Sequence, residues 1–330
     1  MNNTAPYIHT KRNGNERVAD WAIALLPVFI WSIFMFGGRV AMLCIIGAGF
    51  SLGLDYPVRR YILKYQGAVC FDFMSCIYGV LAVFSMPVTV PLFAPVVSSA
   101  LVVFAKNFKV IKSKRLFNPF IFSAAVMNLV FPKMMTAFTR PFAYFSAFDF
   151  VIDPKLMEHY RVISPLQYMS DGSVFEDGVF AQLYGFASGN MGEIAVVAIL
   201  MGAIYLAFRK EANLYSTVAV VFPILLLSLA FPSEDAESNY FAYSLILSGA
   251  IVFISTFGVN EKHTVPLTKS GQIILSVLCG ILIFVFRKAS GEAVWDYGVL
   301  LALNALSPII ELVTKPNFFK MLSTPNKKAV

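Results

Sequence analysis

The side chains able to do chemistry in this chain lie at the ends of long apolar runs, where polar groups are costly and therefore the first candidates for function. Asn118-Pro119 opens one such run directly after the basic stretch Lys109 to Arg115. The pair reads as a helix start, with Asn as cap and Pro in the first turn, and that role leaves the amide free to bind a ligand as well. Ser188-Gly189-Asn190-Met191-Gly192-Glu193 opens another run. Glu193 there either complements the positive end of the following helix or sits at a glycine-rich entrance that lets a ligand approach the backbone. Asp72, at the edge of a run, is a proton or cation ligand or simply a solvated interfacial carboxylate. Asp171-Gly172-Ser173 has the composition of a turn. His9, His159 and His263 are scattered, and Cys44, Cys70, Cys76 and Cys279 form no CxxC pair. Neither a metal site nor a disulfide framework is indicated. With no P-loop, GxSxG or GxGxxG, nothing marks a self-contained enzyme.

The elements that position these residues follow from composition. The 330 residues are 58% hydrophobic and only 14% charged, with a mean hydropathy of +0.71. Soluble domains are about half apolar and about a quarter charged, so a soluble enzyme and a disordered chain are both excluded. An all-α membrane protein remains. A spanning helix takes about 20 apolar residues, and ten such runs are expected, at 18–36, 38–54, 68–86, 88–105, 118–136, 191–208, 213–231, 239–257, 270–286 and 296–313.

Alternating these spans from an inside N-terminus gathers most Lys and Arg on one side. Lys11, Arg12, Arg17, Arg59, Arg60, Lys64, the cluster Lys106 to Arg115, Arg209, Lys210, Lys262, Lys269 and the C-terminal lysines fall there. Arg39, Lys133, Arg140, Lys155, Arg161, Arg287 and Lys288 fall on the other. This asymmetry predicts both termini in the cytoplasm of a bacterial inner membrane. The bilayer, not nucleic acid, then explains the net charge of +7. The first apolar run lacks a small-residue cleavage site and reads as a retained anchor.

Five regions result: a tail 1–17, a membrane half 18–136, a loop 137–190 on the outer face, a second half 191–313 and a tail 314–330. The loop sets Arg140, Lys155 and Arg161 against Asp149, Asp153, Glu158, Asp171, Glu176 and Asp177. Its aromatic content predicts a packed cap, since structureless loops of that length are uncommon. Five spans on each side give the halves opposite orientation, which predicts an inverted repeat.

The order of short motifs resembles that of a known family, the D subunit of the Rnf electron-transport complex and, more distantly, the B subunit of the sodium-pumping NADH:quinone reductase. The resemblance rests on Pro6-Tyr7-Ile8-His9 with Ala24-Leu25-Leu26-Pro27, and on Ser85-Met86-Pro87-Val88-Thr89-Val90-Pro91. Phe117-Asn118-Pro119, Gly192-Glu193 and Asn304-Ala305-Leu306-Ser307-Pro308 complete it. It implies a membrane flavoprotein that relays electrons between ferredoxin- or NADH-side subunits and other partners while sodium ions or protons are moved. FMN, with riboflavin as a further flavin, is the implied cofactor, joined as a phosphoester to a Thr in an SGAT-type motif by a flavin transferase. Here that place reads Ser170-Asp171-Gly172-Ser173. One alignment makes Ser173 the acceptor, with Asp171 and Gly172 beside it, while another puts Asp177 there and abolishes the ester. Covalent, non-covalent and flavin-free states all stay open. Asn118, Asn190, Gly192 and Glu193 are expected to line the pocket. The stretch Gly258 to Ser270 departs from the family's TDP-containing segment. The rival readings are a urea- or ammonium-channel-like transporter and a flavin-free scaffold of the same complex.

Overall fold

The computed structural model describes residues 14–64, 70–111, 114–170, 178–231 and 238–314. The first half contains α1 (Gly14–Phe36), α2 (Gly38–Pro57, continued by the π-turn Val58–Ile62), α3 (Met74–Phe84), α4 (Phe93–Asn107) and α5 (Pro119–Val130). A small ribbon, β1 (Lys109–Ile111) and β2 (Lys114–Arg115), joins α4 to α5. The short α6 (Pro132–Met135) ends the first half, and α7 (Pro154–Tyr160), α8 (Pro165–Ser170) and α9 (Gly178–Tyr184) belong to the long loop. The second half comprises α10 (Val196–Phe208), α11 (Leu214–Ala230), α12 (Ser238–Leu247), α13 (Ile251–Phe253, continued by the π-turn Ile254–Gly258), α14 (Lys269–Ser290) and α15 (Trp295–Thr314). The side carrying the long loop is called the loop face below, and the other side the terminal face.

Local chemistry explains several boundaries. Gly37, at φ +78°, lets α2 follow α1 after a single residue, and a side chain there would strike the Tyr144 ring at 2.8 Å. Thr268 caps α14 by accepting from the Gly271 N–H at 3.2 Å. Gly291 closes the same helix in the left-handed conformation.

Among the described residues four helices are long and apolar enough to cross a membrane alone: Gly14–Phe36, Gly38–Ile62, Lys269–Ser290 and Trp295–Thr314. The other expected spans are covered by shorter or broken apolar helices, consistent with a multi-span membrane protein. The run 68–86 holds the eleven-residue α3, after which Ser85 to Val90 leave the helix and stay buried. The run 239–257 breaks at 248–250 between α12 and α13. Irregular backbone survives at membrane depth only where protein covers it, and both breaks are covered.

The two halves pair their helices in the same order. Helix α2 packs on α3 and α4, and α4 on α5; α11 packs on α12 and α14, and α14 on α15. Across the halves, α1 meets α10 and α5 meets α15. Small residues make the close contacts, as expected where helix association rests on packing. A methyl on Gly202 would lie 2.4 Å from the Ala24 carbonyl oxygen, and one on Gly280 2.2 Å from that of Val220.

Each half carries one buried cation at the end of its fourth long element. Lys106, 3% exposed, closes α4; its ammonium lies 2.9 Å from Asp55 and 2.6 Å from Asp72 and donates to Ser75. Arg287, 2% exposed, closes α14. Its Nε donates to Asp296 Oδ1 at 2.9 Å, its Nη2 donates to the same carboxylate, and its Nη1 donates to the carbonyls of Leu245 (2.7 Å) and Ser248 (2.9 Å). Arg39 is also fully buried, donating to the carbonyls of Val88, Val90, Ser146 and Asp149 at 2.8–3.1 Å. In the sequence all three count as orientation charges, yet none is a solvated flank of a span.

Candidate functional site

The polar residues expected to form one pocket divide between the two faces. On the loop face, Asn190 and Glu193 occupy an irregular segment, 187–195, that threads between the halves before α10 begins. Its backbone is pinned to the first half: Met191 N–H donates to Met86 O at 3.0 Å, and Gly192 N–H to Phe84 O at 2.9 Å. Gly192 lacks a side chain because Phe84 is there; an added Cβ would lie 2.3 Å from the Phe84 Cβ. Packing between the halves thus accounts for this glycine.

Glu193 is 3% exposed and does not cap α10. Its carboxylate accepts from Asn190 Nδ2 at 2.9 Å and from the Tyr297 hydroxyl at the start of α15. Two neutral donors therefore hold a buried carboxylate, with the Arg287–Asp296 pair one residue away along α15. Asn190 and Glu193 line a narrow pocket of about 40 Å³ together with Asn128, Ser248 and Tyr297. That is room for a few waters and not for a ring system. Asn190 Oδ1 and Ser248 Oγ are buried there without a partner among the described residues, so water is their natural partner.

A wider cleft of about 750 Å³ opens beside this pocket and shares Thr136, Gln167 and Glu292 with it. Arg140 and Arg161 line the cleft, opposed by Glu158 and Glu292. The loop as a whole is acidic, but two of its arginines line the same cleft, a signal hidden in its net charge. Asp171, Gly172 and Ser173 lie outside the described residues. They follow directly on α8, whose Gln167 lines the cleft.

Asn118 sits elsewhere. It precedes α5, whose far end carries Asn128 of the loop-face pocket, about 15 Å along the helix at 1.5 Å per residue. The expected cap is half right: Pro119 takes the first helical position, but the Asn118 side chain makes no cap. Its Nδ2 donates instead to the Gly258 carbonyl at 3.1 Å, and its buried Oδ1 has no partner among the described residues. Asn304, 1% exposed, has neither amide atom partnered among them. A side chain at Gly258 would meet Leu300 at 2.8 Å and Ile121 at 3.2 Å. Asn304 and Asn118 lie one helical turn from those two residues, so both amides flank the π-turn that ends at Gly258.

Next to this turn is an ionic cluster on the terminal face. Arg17 reaches Glu261 at 3.4 Å, Glu211 at 3.3 Å and His263 Nε2 at 2.9 Å, and Lys262 reaches Glu211 at 3.0 Å. Arg115 donates to the Tyr78 hydroxyl at 2.9 Å. Burial pulls the His263 imidazole below its ordinary value, against the pull of Glu261, so its ring accepts from Arg17. Asp72 belongs to the Lys106 group. Burial alone would raise its carboxyl, but Lys106, the Met74 N–H and Arg59 hold it below the usual range. Among the described residues no His, Cys, Asp and Glu grouping could hold a metal ion.

Comparison with known proteins places these motifs in context. Residues 1–320 match the model of the NQR2, RnfD, RnfE family. The D subunit of the proton-translocating ferredoxin:NAD(+) oxidoreductase complex of Clostridium ljungdahlii is 22% identical over 320 residues, covering 95% of this chain and 94% of that protein. The D subunit of the Na(+)-translocating ferredoxin:NAD(+) oxidoreductase complex of Acetobacterium woodii is 23% identical over 330 residues, covering 96% and 94%. The D subunit of an ion-translocating oxidoreductase complex of Stutzerimonas stutzeri is 23% identical over 321 residues, covering 90% and 89%.

Proposed function

The chain belongs to the NQR2, RnfD, RnfE family, and from that premise we propose that it is a D-type membrane subunit of an ion-translocating oxidoreductase complex, carrying flavin and passing electrons between partner subunits. The observation that carries this reading is the end-to-end match to the D subunits of such complexes, which leaves no stretch of this chain longer than a tail for a separate activity.

The two faces suit two flavins. Bound flavin would supply the uptake and release of one or two electrons. The loop-face cleft of about 750 Å³ has the size of a cofactor site. Arg140 and Arg161 can hold the phosphate of FMN by charge-assisted hydrogen bonds, and Ser173 lies a few residues beyond the α8 that walls the cleft. A phosphoester would join the Ser173 hydroxyl to that phosphate; without it, the arginines alone supply the counter-charge. Glu193, Asn190 and Tyr297 would hold water and a proton beside the cleft. On the terminal face, the unpartnered amide atoms of Asn118 and Asn304 offer both donors and acceptors to the uncharged edge of riboflavin. The partners are the other Rnf-type membrane and flavoprotein subunits, in the inner membrane with both termini cytoplasmic.

The test is flavin fluorescence of the denatured, gel-separated chain from cells with a flavin transferase, comparing wild type with Ser173→Ala. A fluorescent band lost in the variant establishes the ester. A dark band with FMN released from the native complex, and at least tenfold less FMN in Arg140→Ala/Arg161→Ala, establishes the non-covalent form. No flavin in either fraction would overturn the flavin reading.

A further inference from the structure

The seam between α5 and α15, on the loop face, contains a groove of about 460 Å³ that the electron-relay reading does not use. Its walls are apolar and turned outward: Leu129 is 73% exposed and Trp295 45% exposed. Trp295, at the start of α15, stacks on Phe286 with ring centroids 6.2 Å apart. Gly298 leaves the groove open along α15, since an added Cβ would meet nothing within 4 Å. Two opposite charges stand at the mouth. Lys133, on α6, and Glu292, in the turn before α15, both line the groove and are exposed or half-buried, and among the described residues neither forms an ion pair.

We propose that this groove binds one phospholipid with a primary-amine headgroup, phosphatidylethanolamine, its phosphate on Lys133, its ammonium on Glu292 and an acyl chain along Leu129, Trp295 and Gly298. The argument is charge complementarity over an apolar slot. A zwitterion with adjacent phosphate and ammonium satisfies both charges, whereas phosphatidylglycerol carries the same phosphate but no cation for Glu292. A trimethylated headgroup cannot donate a hydrogen bond to that carboxylate. The groove shares Asn128, Thr136, Glu292 and Val294 with the water-sized pocket of Glu193, so the headgroup would close that pocket on its membrane side. The inference rests on the chain being embedded in a bilayer and is independent of any flavin.

Native mass spectrometry of the delipidated protein, incubated separately with phosphatidylethanolamine, phosphatidylcholine and phosphatidylglycerol, tests it. Wild type is expected to retain one phosphatidylethanolamine at least fivefold better than either other lipid. Glu292→Gln should erase the preference over phosphatidylcholine, and Lys133→Glu should lower retention of phosphatidylethanolamine at least tenfold. Gly298→Phe, whose Cβ would meet nothing within 4 Å, should evict the lipid while thermal unfolding stays as in wild type. Equal retention of all three lipids, preference for phosphatidylglycerol, or full retention by Gly298→Phe would overturn the proposal.

Discussion

The Lys106 and Arg287 centres occupy corresponding places in the two halves and solve the same problem with different chemistry. Each ends the fourth long element of its half and ties it to the broken third element. Lys106 is a point charge among two carboxylates and a hydroxyl, and Arg59 reaches the same Asp55 at 3.0 Å from the rim. Asp72 is 35% exposed, so water reaches this group. Arg287 is a planar fork in a sealed site, joining one carboxylate to two carbonyls at the end of α12. Only a guanidinium has donors enough, in fixed directions, for that second task. The difference teaches that an open cluster can share a charge among several partners, whereas a closed one depends on a single side chain.

The sharpest way to break the comparison is Arg287→Ala. It strands Asp296 in the interior and leaves two helix-end carbonyls bare, an expected loss of about 3–5 kcal/mol. Arg287→Lys should recover little, because one ammonium cannot reach the carboxylate and both carbonyls. Thermal unfolding in detergent, followed by tryptophan fluorescence, measures this; a variant melting within a degree or so of wild type would refute it. Lys106→Met should cost less, about 1–3 kcal/mol. Asp55 keeps Arg59 and the Asn107 amide at 3.0 Å, and Asp72 can turn to water. If both variants lost the same stability, the distinction between open and sealed centres would fail.

Much of this architecture is legible in the sequence, and the reasons for the rest are specific. The all-helical membrane class, the hairpin break at Gly37 and the helix Lys269–Ser290 follow from apolar run length and end signals, which are local. The prolines of Ser85 to Pro91 mark the break after α3, but the break at 248–250 is not visible there, because hydropathy registers apolar content and is blind to whether the backbone stays helical. Lys106, Arg39 and Arg287 sit at run ends and look like flanking charges; Asp296 lies nine residues beyond Arg287, but the other partners come from elements tens of residues away. Asn118 and Glu193 stand out as costly polar residues, but Asn118 lies at one end of α5 and Glu193 beside Asn128 at the other, and neither motif says which end of a bundle it occupies. Tyr297 and Asn304 escape notice as site residues for the same reason. The arginine cleft is hidden by the acidic sum of its loop.

The smallest expected effects separate the two halves by pH. His263, in the second half's link, and Asp72, in the first half's cluster, both have depressed values in the folded chain. In each case the unfolded chain takes up its proton first, so the stabilisation is complete above the unfolded value and declines as pH falls. The unfolded values differ, about 6.5 for His and about 3.9 for Asp. Loss assigned to the second half therefore begins below about pH 6.5, and loss assigned to the first half only below about pH 4. For His263 the cause is burial, with the neighbouring Arg17 opposing a charged ring; for Asp72 it is the ammonium of Lys106, which outweighs burial. Unfolding temperatures of wild type, His263→Gln and Asp72→Asn across this range should separate accordingly. His263→Gln should flatten the curve just below neutrality and leave the acid limb intact, and Asp72→Asn should soften only the acid limb. A His263→Gln profile superimposable on wild type would mean that the terminal-face cluster does not sense pH through this ring.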